Sequence, residues 1–577
     1  MPKEAQENQE TEDSLPYDYV EQDPEYMDYL AELATKEMEQ EYLSDEEEYE
    51  KMLKLCEEIA THHTSTIALG TKKEIDGTSE VFEAEFFGED YTDYDSNPEY
   101  HKYLNMLHDE TLSKILCHIN EIDFEEEFKC KLRDDLFKYR DAQNMLHLEK
   151  IPNKIYAVLI LLKIFEAANH NSFGFMSENL KAYVYTRKYW KNVSYDTMKH
   201  FFSLVAVKLG FYSNTEALGN NFTKELMKQF LAQTPIIPPS NDKQVLINLQ
   251  NGTYEIVSSK FKLREHSKTD YLKYILPYEY QPSAQAPQFM TYLQQVLPDK
   301  ESQAVLQEFH GYIFTKGLKL EKTLLLYGMG ANGKSVQFDV TRELIGKNNV
   351  STKSLGDLVN RDSGSDNIVK LQDKLLNFGS EISAAEIRND TFKKLVSGEP
   401  VSGREKYQTS VDIENGCKFI FNANQLPDTK DHTEAFYRRF LVLSYNIEIA
   451  EDERDPELST KLISELPGIF NWVLEGLERL LSQKTFSQCQ ASLHAIEEYR
   501  IESNDVSLFL RDKHIETDTS DRMSIASLFI MYEAWVKENR AQCLTKSKFS
   551  RELKLLKFKS YQTAKERGYY AKVNVPK

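Results

Sequence analysis

At 577 residues the chain has room for roughly three or four domains, and its 41% hydrophobic and 12% aromatic content is that expected of a soluble globular protein. Its longest apolar run, Ile155 to Leu162, is far too short to cross a bilayer, and no charged-then-apolar signal opens the chain, so a cytoplasmic protein with no membrane association is expected. Six scattered cysteines without a C-x-x-C pair argue against a disulfide scaffold and a zinc site, and the net charge of −23 is hostile to nucleic acid only until it is located.

Residues 1–50 carry 14 Glu and 5 Asp against 2 Lys, whereas residues 541–577 carry ten Lys or Arg against two Glu. An acidic head and a basic tail therefore share one chain, and the average conceals a plausible DNA-binding surface. Residues 1–110 read as a tyrosine-rich acidic segment, loosely helical at most. Residues 111–179 show helical periodicity, as in Leu112, Ile115, Leu116 and Ile119. Residues 180–320 change character: Tyr183 to Trp190 suggests a hairpin, Tyr195 to Leu209 a helix, and Val245 to Thr253 a strand running into an Asn-Gly turn. Pro277, Pro282 and Pro287 then mark a linker before helices that end near Phe314.

An α/β core is expected over residues 321–446. Thr323 to Tyr327 is a short apolar strand, and Gly328-Met329-Gly330-Ala331-Asn332-Gly333-Lys334-Ser335 completes a G-x-x-x-x-G-K-S loop. A helix is expected from Lys334 to Ile345. Strand, glycine-rich turn and helix form a phosphate cradle: backbone N–H groups converge on oxyanions, and the helix N-terminus adds positive potential. In such a P-loop Lys334 reaches the β- and γ-phosphates of ATP and Ser335 ligates Mg²⁺. Leu375 to Glu381 is a second apolar strand, ending in a carboxylate beside the phosphates. Glu381 there polarises the attacking water, supports Mg²⁺, or does both, since Ser380 replaces the expected neighbouring acid.

Lys418 to Asn424 is a third strand, whose terminal amide suits a sensor of the γ-phosphate. Arg438 and Arg439 precede a further buried strand, the arrangement of an arginine finger acting across a subunit boundary. Between the second and third strands, Gly403-Arg404-Glu405-Lys406-Tyr407 reads as a basic hairpin that offers Arg404 and Lys406 to phosphates and Tyr407 to a base. A helical extension is expected over residues 447–501 and a small domain over 502–577. In that domain Lys546 to Phe558 is a helix with Phe549, Leu553 and Leu556 on one face and Lys548, Arg551 and Lys554 on the other. A hairpin turning at Arg567-Gly568 follows, which is winged-helix order.

These motifs resemble the superfamily 3 helicases, in the branch shared by phage, plasmid and poxvirus primase–helicases. The resemblance rests on Gly328 to Ser335, Lys374 to Asn377 with Ser380-Glu381, Phe392 to Leu395 with Gly398 to Val401, Asn424 to Pro427, and Arg438-Arg439. Upstream, Asn248 to Gly252, Leu276 to Tyr280 and Gln307 to Tyr312 resemble the accessory domain that precedes such an ATPase. It implies an AAA+-like P-loop core with a C-terminal winged helix, working as a ring, usually hexameric, that hydrolyses ATP between subunits and draws single-stranded DNA through its centre. Replication-initiation partners and a bacterial or phage-infected cell follow by the same resemblance. It assigns Glu381 to Walker B, Asn424 to sensor 1, Arg439 or Arg438 to the finger and Lys406 to the DNA loop. Rival readings are an AAA+ switch ATPase and an origin-binding protein that uses ATP only to assemble. Primase chemistry needs clustered carboxylates; the single candidate, Asp93-Tyr94-Asp95, has no apolar strand to hold it, so a helicase without primase activity is expected.

Overall fold

The computed structural model describes residues 94–577 except 132–138, 141–144, 212–218, 235–243, 258–259, 361–363, 380–381, 383–389, 405–410, 414–415, 425–433, 540–542, 565 and 575–577. The acidic head lies outside the described residues, all of which belong to the compact unit Tyr91–Lys577.

The first part is built from α1 (Pro98–Leu107), α2 (Glu110–Cys117), α3 (Phe124–Lys131) and α4 (Asn153–His170), followed by an antiparallel sheet of β1 (Gly174–Glu178), β2 (Lys181–Tyr185) and β3 (Trp190–Val193), then α5 (Tyr195–Lys208) and α6 (Asn220–Gln233). Local chemistry sets the helix starts. Asn97 accepts from the N–H groups of Glu99 and Tyr100 ahead of Pro98, and Asp109 accepts from that of Leu112. The expected hairpin is β2–β3, with Tyr185 opposite Trp190. Strand β1 falls in a stretch whose helical pattern suggested none, because a short apolar run such as Phe173 to Met176 carries no period that separates strand from buried helix. One core joins Leu112, Ile160, Val184, Phe201 and Phe230, so packing runs across the boundary at residue 180.

Next come β4 (Val245–Leu249), β5 (Gly252–Val257) and β6 (Lys260–Arg264), then α7 (Pro287–Val296) and α8 (Lys300–Tyr312). Their buried residues, such as Ile247, Phe289 and Phe309, share a core with one side of the central sheet. That sheet runs through β7 (Thr323–Tyr327), α9 (Lys334–Ile345), β8 (Val350–Ser351), α10 (Leu355–Val359), α11 (Gly364–Val369), β9 (Leu376–Gly379), α12 (Asp390–Ser397), the hairpin β10 (Val401–Gly403) and β11 (Val411–Ile413), β12 (Lys418–Ala423), α13 (Glu434–Tyr437) and β13 (Phe440–Ser444). Its strands are parallel, in the order β13-β7-β12-β9-β8. Leu324, Leu325 and Leu326 are fully buried, as strands covered on both faces demand. The order puts β7 beside β12 and β13, so the carboxyl ends of these strands meet at the loop after Tyr327.

The chain continues through α14 (Leu458–Ile463), α15 (Leu466–Gln483) and α16 (Gln490–Glu502). Helix α16 closes the sheet edge, where Val442 donates its N–H to Ser492 Oγ at 3.0 Å. The last part is α17 (Asp505–Asp512), β14 (Ile515–Ser524), α18 (Ile525–Asn539), α19 (Lys546–Leu555), β15 (Ser560–Gln562) and β16 (Arg567–Val573), around Phe509, Leu528, Tyr532, Phe549 and Leu553. Strand β14, polar throughout its middle, carries no hydrophobic alternation to announce it. Arg567 and Gly568, where the turn was expected, lie instead inside the ladder, Arg567 pairing with Gln562 and Gly568 with Tyr561. Gly568 is there because a Cβ would lie 2.1 Å from the Met523 carbonyl oxygen. Among the described residues no helix is long and apolar enough to cross a membrane.

Candidate nucleotide site and nucleic-acid surfaces

The loop between β7 and α9 has the backbone that its glycines permit. Gly330 (φ 109°), Ala331 (φ 48°) and Gly333 (φ 85°) occupy the left-handed region. Gly328 leaves no room for a side chain, since a Cβ would lie 2.3 Å from both Asn332 Nδ2 and the Tyr445 carbonyl oxygen. The loop is tied from outside by the chain beyond β13. Asn332 Nδ2 donates to the Tyr445 carbonyl at 2.9 Å, and Ile449 donates its N–H to the Ala331 carbonyl at 2.8 Å. From α7, Tyr292 donates its hydroxyl to the Gly333 carbonyl at 2.9 Å. No spacing rule in the sequence pointed to Tyr292, Tyr445 or Ile449; these supports come from elements brought in by the fold.

Lys334 is buried, and its ammonium donates to the Gly328 carbonyl and, at 3.1 Å, to Asn332 Oδ1. Desolvation lowers its pKa. Met329, Gly330, Ala331 and Ser335 are exposed on the open side. No side chain caps the N-terminus of α9, so its first N–H groups are left for an incoming anion. Ser335 in this first turn supplies a hard oxygen of the kind Mg²⁺ prefers.

The neighbouring strand β12 delivers one further expected residue to this end of the sheet. Ala423 accepts the N–H of Gly328 at 3.0 Å, which places the exposed Asn424 beside the start of the loop. Strand β9 ends at Gly379, opposite Phe421; Ser380 and Glu381 lie outside the described residues. Asn377, fully buried, bonds both the N–H and the carbonyl of Lys353, which holds the next crossover to this strand.

Arg438 and Arg439 stand at the other end. They precede Phe440, which pairs in parallel with Thr323, so a five-residue strand, roughly 16 Å, separates them from the loop of the same chain. Arg438 is exposed and its Nη2 lies 2.7 Å from Glu321, whereas Arg439 is only 9% exposed and donates to Ser397 Oγ at 3.3 Å. The hairpin expected between the second and third strands exists at its base, where Val401 to Gly403 pairs with Val411 to Ile413. Arg404 is exposed beside it; Lys406 and Tyr407 lie outside the described residues. In α19, Lys548, Arg551 and Lys554 are exposed while Phe549 and Leu553 are fully buried, as the period required. Of the D-x-D triplet, Tyr94 and Asp95 lie in a single 3-10 turn and not on a strand, and Asp93 lies outside the described residues.

Residues 163–298 match the family described as "D5 N terminal like", and residues 326–439 match a "Family of unknown function (DUF5906)". The chain is similar to the "Putative helicase 121R" of Invertebrate iridescent virus 3, with 22% identity over 230 residues, 38% of this chain and 24% of that protein. It thus spans about a quarter of that relative's length. Two solved apo structures of the NrS-1 C terminal region are also similar. The A form is 14% identical, covers 71% of this chain and 98% of its own, and has a TM-score of 0.41. A second, of residues 305–718, is 12% identical, covers 74% and 100%, and has a TM-score of 0.39.

Proposed function

We propose that this chain is an ATP-dependent replicative DNA helicase of a phage, plasmid or other mobile element, of the superfamily 3 type. The observation that carries the reading is the tied glycine loop after β7, with Lys334 buried within it and Asn424 delivered beside it by β12. A loop of this shape, open on one side and leading into a helix whose N-terminus no side chain caps, suits a nucleoside triphosphate. Ser335 would hold Mg²⁺ there, with Glu381 as its expected companion; once bound, the ion supplies neutralisation of β- and γ-phosphate charge. The position of Arg438 and Arg439 at the far end of the sheet supports action on the nucleotide of an adjacent copy, and so a homo-oligomeric ring, expected to be a hexamer.

The D5 N terminal like match and the helicase-named viral relative support a primase–helicase family. In this reading DNA is met twice. The hairpin bearing Arg404, Lys406 and Tyr407 grips single-stranded DNA, and Lys548, Arg551 and Lys554 of α19 hold duplex DNA as the recognition face of a winged helix. The helix-strand-helix-helix-strand-strand order of residues 505–573 supports the second assignment. The test is ATP hydrolysis by the purified chain with and without single-stranded DNA. Hydrolysis that rises several-fold with DNA and vanishes in Lys334→Ala is the expected result. Hydrolysis indifferent to DNA would instead indicate a switch ATPase.

A further inference from the structure

At the end of the central sheet away from the phosphate loop, a cleft of about 390 Å³, its mouth included, opens beneath the segment that leads into β7. Lys316, Lys319, Lys322 and Lys418 line it, and Glu321 is the only acid lining it among the described residues. That carboxylate is already engaged by Arg438 at 2.7 Å and Arg439 at 3.6 Å. Lys322 donates to the carbonyl oxygen of Arg438, and among the described residues no carboxylate pairs with this lysine. The half-buried Lys418 rests its ammonium 4.3 Å from the centre of the Tyr312 ring, and among the described residues no carboxylate pairs with it. Desolvation pulls its pKa down to about 8. A cation withdrawn from water without a counter-charge is costly, and an anion placed among these lysines removes that cost. Nothing in the reading of the phosphate loop uses this cluster.

We propose that the cleft is a second phosphate site, in which Lys418 and Lys322 hold the oxyanion and Lys319 draws it in at the mouth. Two sources share that chemistry: free inorganic phosphate, and the terminal phosphate of a nucleotide held by a second copy of the chain. Only the second source rests on the ring reading above.

Calorimetric titration of inorganic phosphate into the full-length Lys334→Ala chain, whose phosphate loop lacks its lysine, tests the first source. Adding Lys418→Met, which keeps an unbranched side chain against Tyr312, is expected to weaken phosphate binding at least tenfold. Lys418→Arg should retain it within about threefold. Should Lys418→Met fail to fold, Lys319→Met, at the exposed mouth, is read in its place, with a two- to threefold loss expected. The second arm leaves the phosphate loop intact and measures ATP hydrolysis by Lys418→Met, expecting kcat to drop at least tenfold at unchanged nucleotide affinity and oligomer size. Loss in the first arm identifies free phosphate, and loss in the second alone identifies the nucleotide of a neighbouring copy. Unchanged phosphate affinity together with unchanged kcat, in chains that melt at the parental temperature, overturns the proposal.

Discussion

At the scale of single residues, the site hangs on a lysine that has no freedom to be anything else. The Lys334 ammonium is enclosed by the Gly328 carbonyl and Asn332, held where β- and γ-phosphate charge would arrive. Lys334→Ala should therefore reduce ATP hydrolysis by at least about 100-fold, the scale of losing one preorganised charge in a water-poor site, while leaving the melting temperature nearly unchanged. Glu381→Gln should do the opposite to binding: nucleotide is retained and remains unhydrolysed. Parental turnover in Glu381→Gln, measured by phosphate release, would remove this residue from the Walker B role. A second residue predicts pH dependence. His310, buried in α8, has its pKa lowered to about 4 by desolvation, while its Nε2 lies 3.0 Å from Thr341 Oγ1 of α9. An unfolded imidazole takes up its proton near pH 6.5, the folded one only near 4, so between these values the unfolded state binds more protons. This contribution to stability is present above pH 6.5 and is lost as pH falls. Urea unfolding of the parent and His310→Gln at pH 7 and pH 4.5 should show a smaller acid loss in the variant; equal slopes would contradict it. At this scale the sequence was most legible where geometry demands a residue type, as at Gly328 to Ser335. It was silent on Tyr292, Tyr445 and Ile449, whose bonds to the loop join positions far apart in the chain.

At the scale of elements, apolar strands bounded by turn residues were readable, and polar ones were not. The strand at Thr323–Tyr327 and the helix at Lys334–Ile345 match the expected limits, because buried parallel strands are continuous apolar runs and a glycine loop fixes both ends. Strand β14 escaped because Glu516 to Arg522 has no apolar period, and β8 because two residues leave no pattern. The parallel pairing of β13 with β7 sets up the next prediction. Arginines a whole strand away from their own loop must serve another copy if they serve a nucleotide at all. Arg439→Ala should bind nucleotide and fail to hydrolyse it, and mixing with Lys334→Ala should restore part of the activity, since some interfaces in a mixed ring keep both groups. Absence of rescue in confirmed mixed oligomers would leave Arg439 structural, in keeping with its bond to Ser397. The C-terminal elements predict a salt effect. Because Ser503 Oγ lies 2.7 Å from the hydroxyl of the buried Tyr437, the cut must fall after Ser503 and not before Glu502. A chain ending there should keep its ATPase and bind duplex DNA more weakly. Each DNA phosphate that the truncated chain no longer neutralises should reduce the slope of log affinity against log salt by about 0.9. Duplex affinity equal to the full chain's at one salt concentration would make the α19 lysines merely solvated.

At the scale of the whole molecule, the chain separates its charges: the first 50 residues are strongly acidic, the last 37 are basic, and the stretch between them is moderately acidic. The packing joins parts that composition suggested were separate, with residues 247–314 sharing a core with the central sheet and residues 103–230 forming one of their own. The loop after β7 is thereby tied through α7 and α8 to strands β4 to β6, and in the proposed helicase this packing is the connection between hydrolysis and work. The most direct measurement is displacement of the labelled strand from a forked DNA duplex by the full-length chain with ATP and Mg²⁺. A helicase of this design should displace the strand only with hydrolysable ATP and not at all as Lys334→Ala. Displacement should also be lost in the double variant Lys406→Ala, Tyr407→Ala, while that variant's basal hydrolysis persists. A chain that hydrolyses ATP with DNA bound, yet never displaces a strand from forks of either polarity, would contradict the helicase reading.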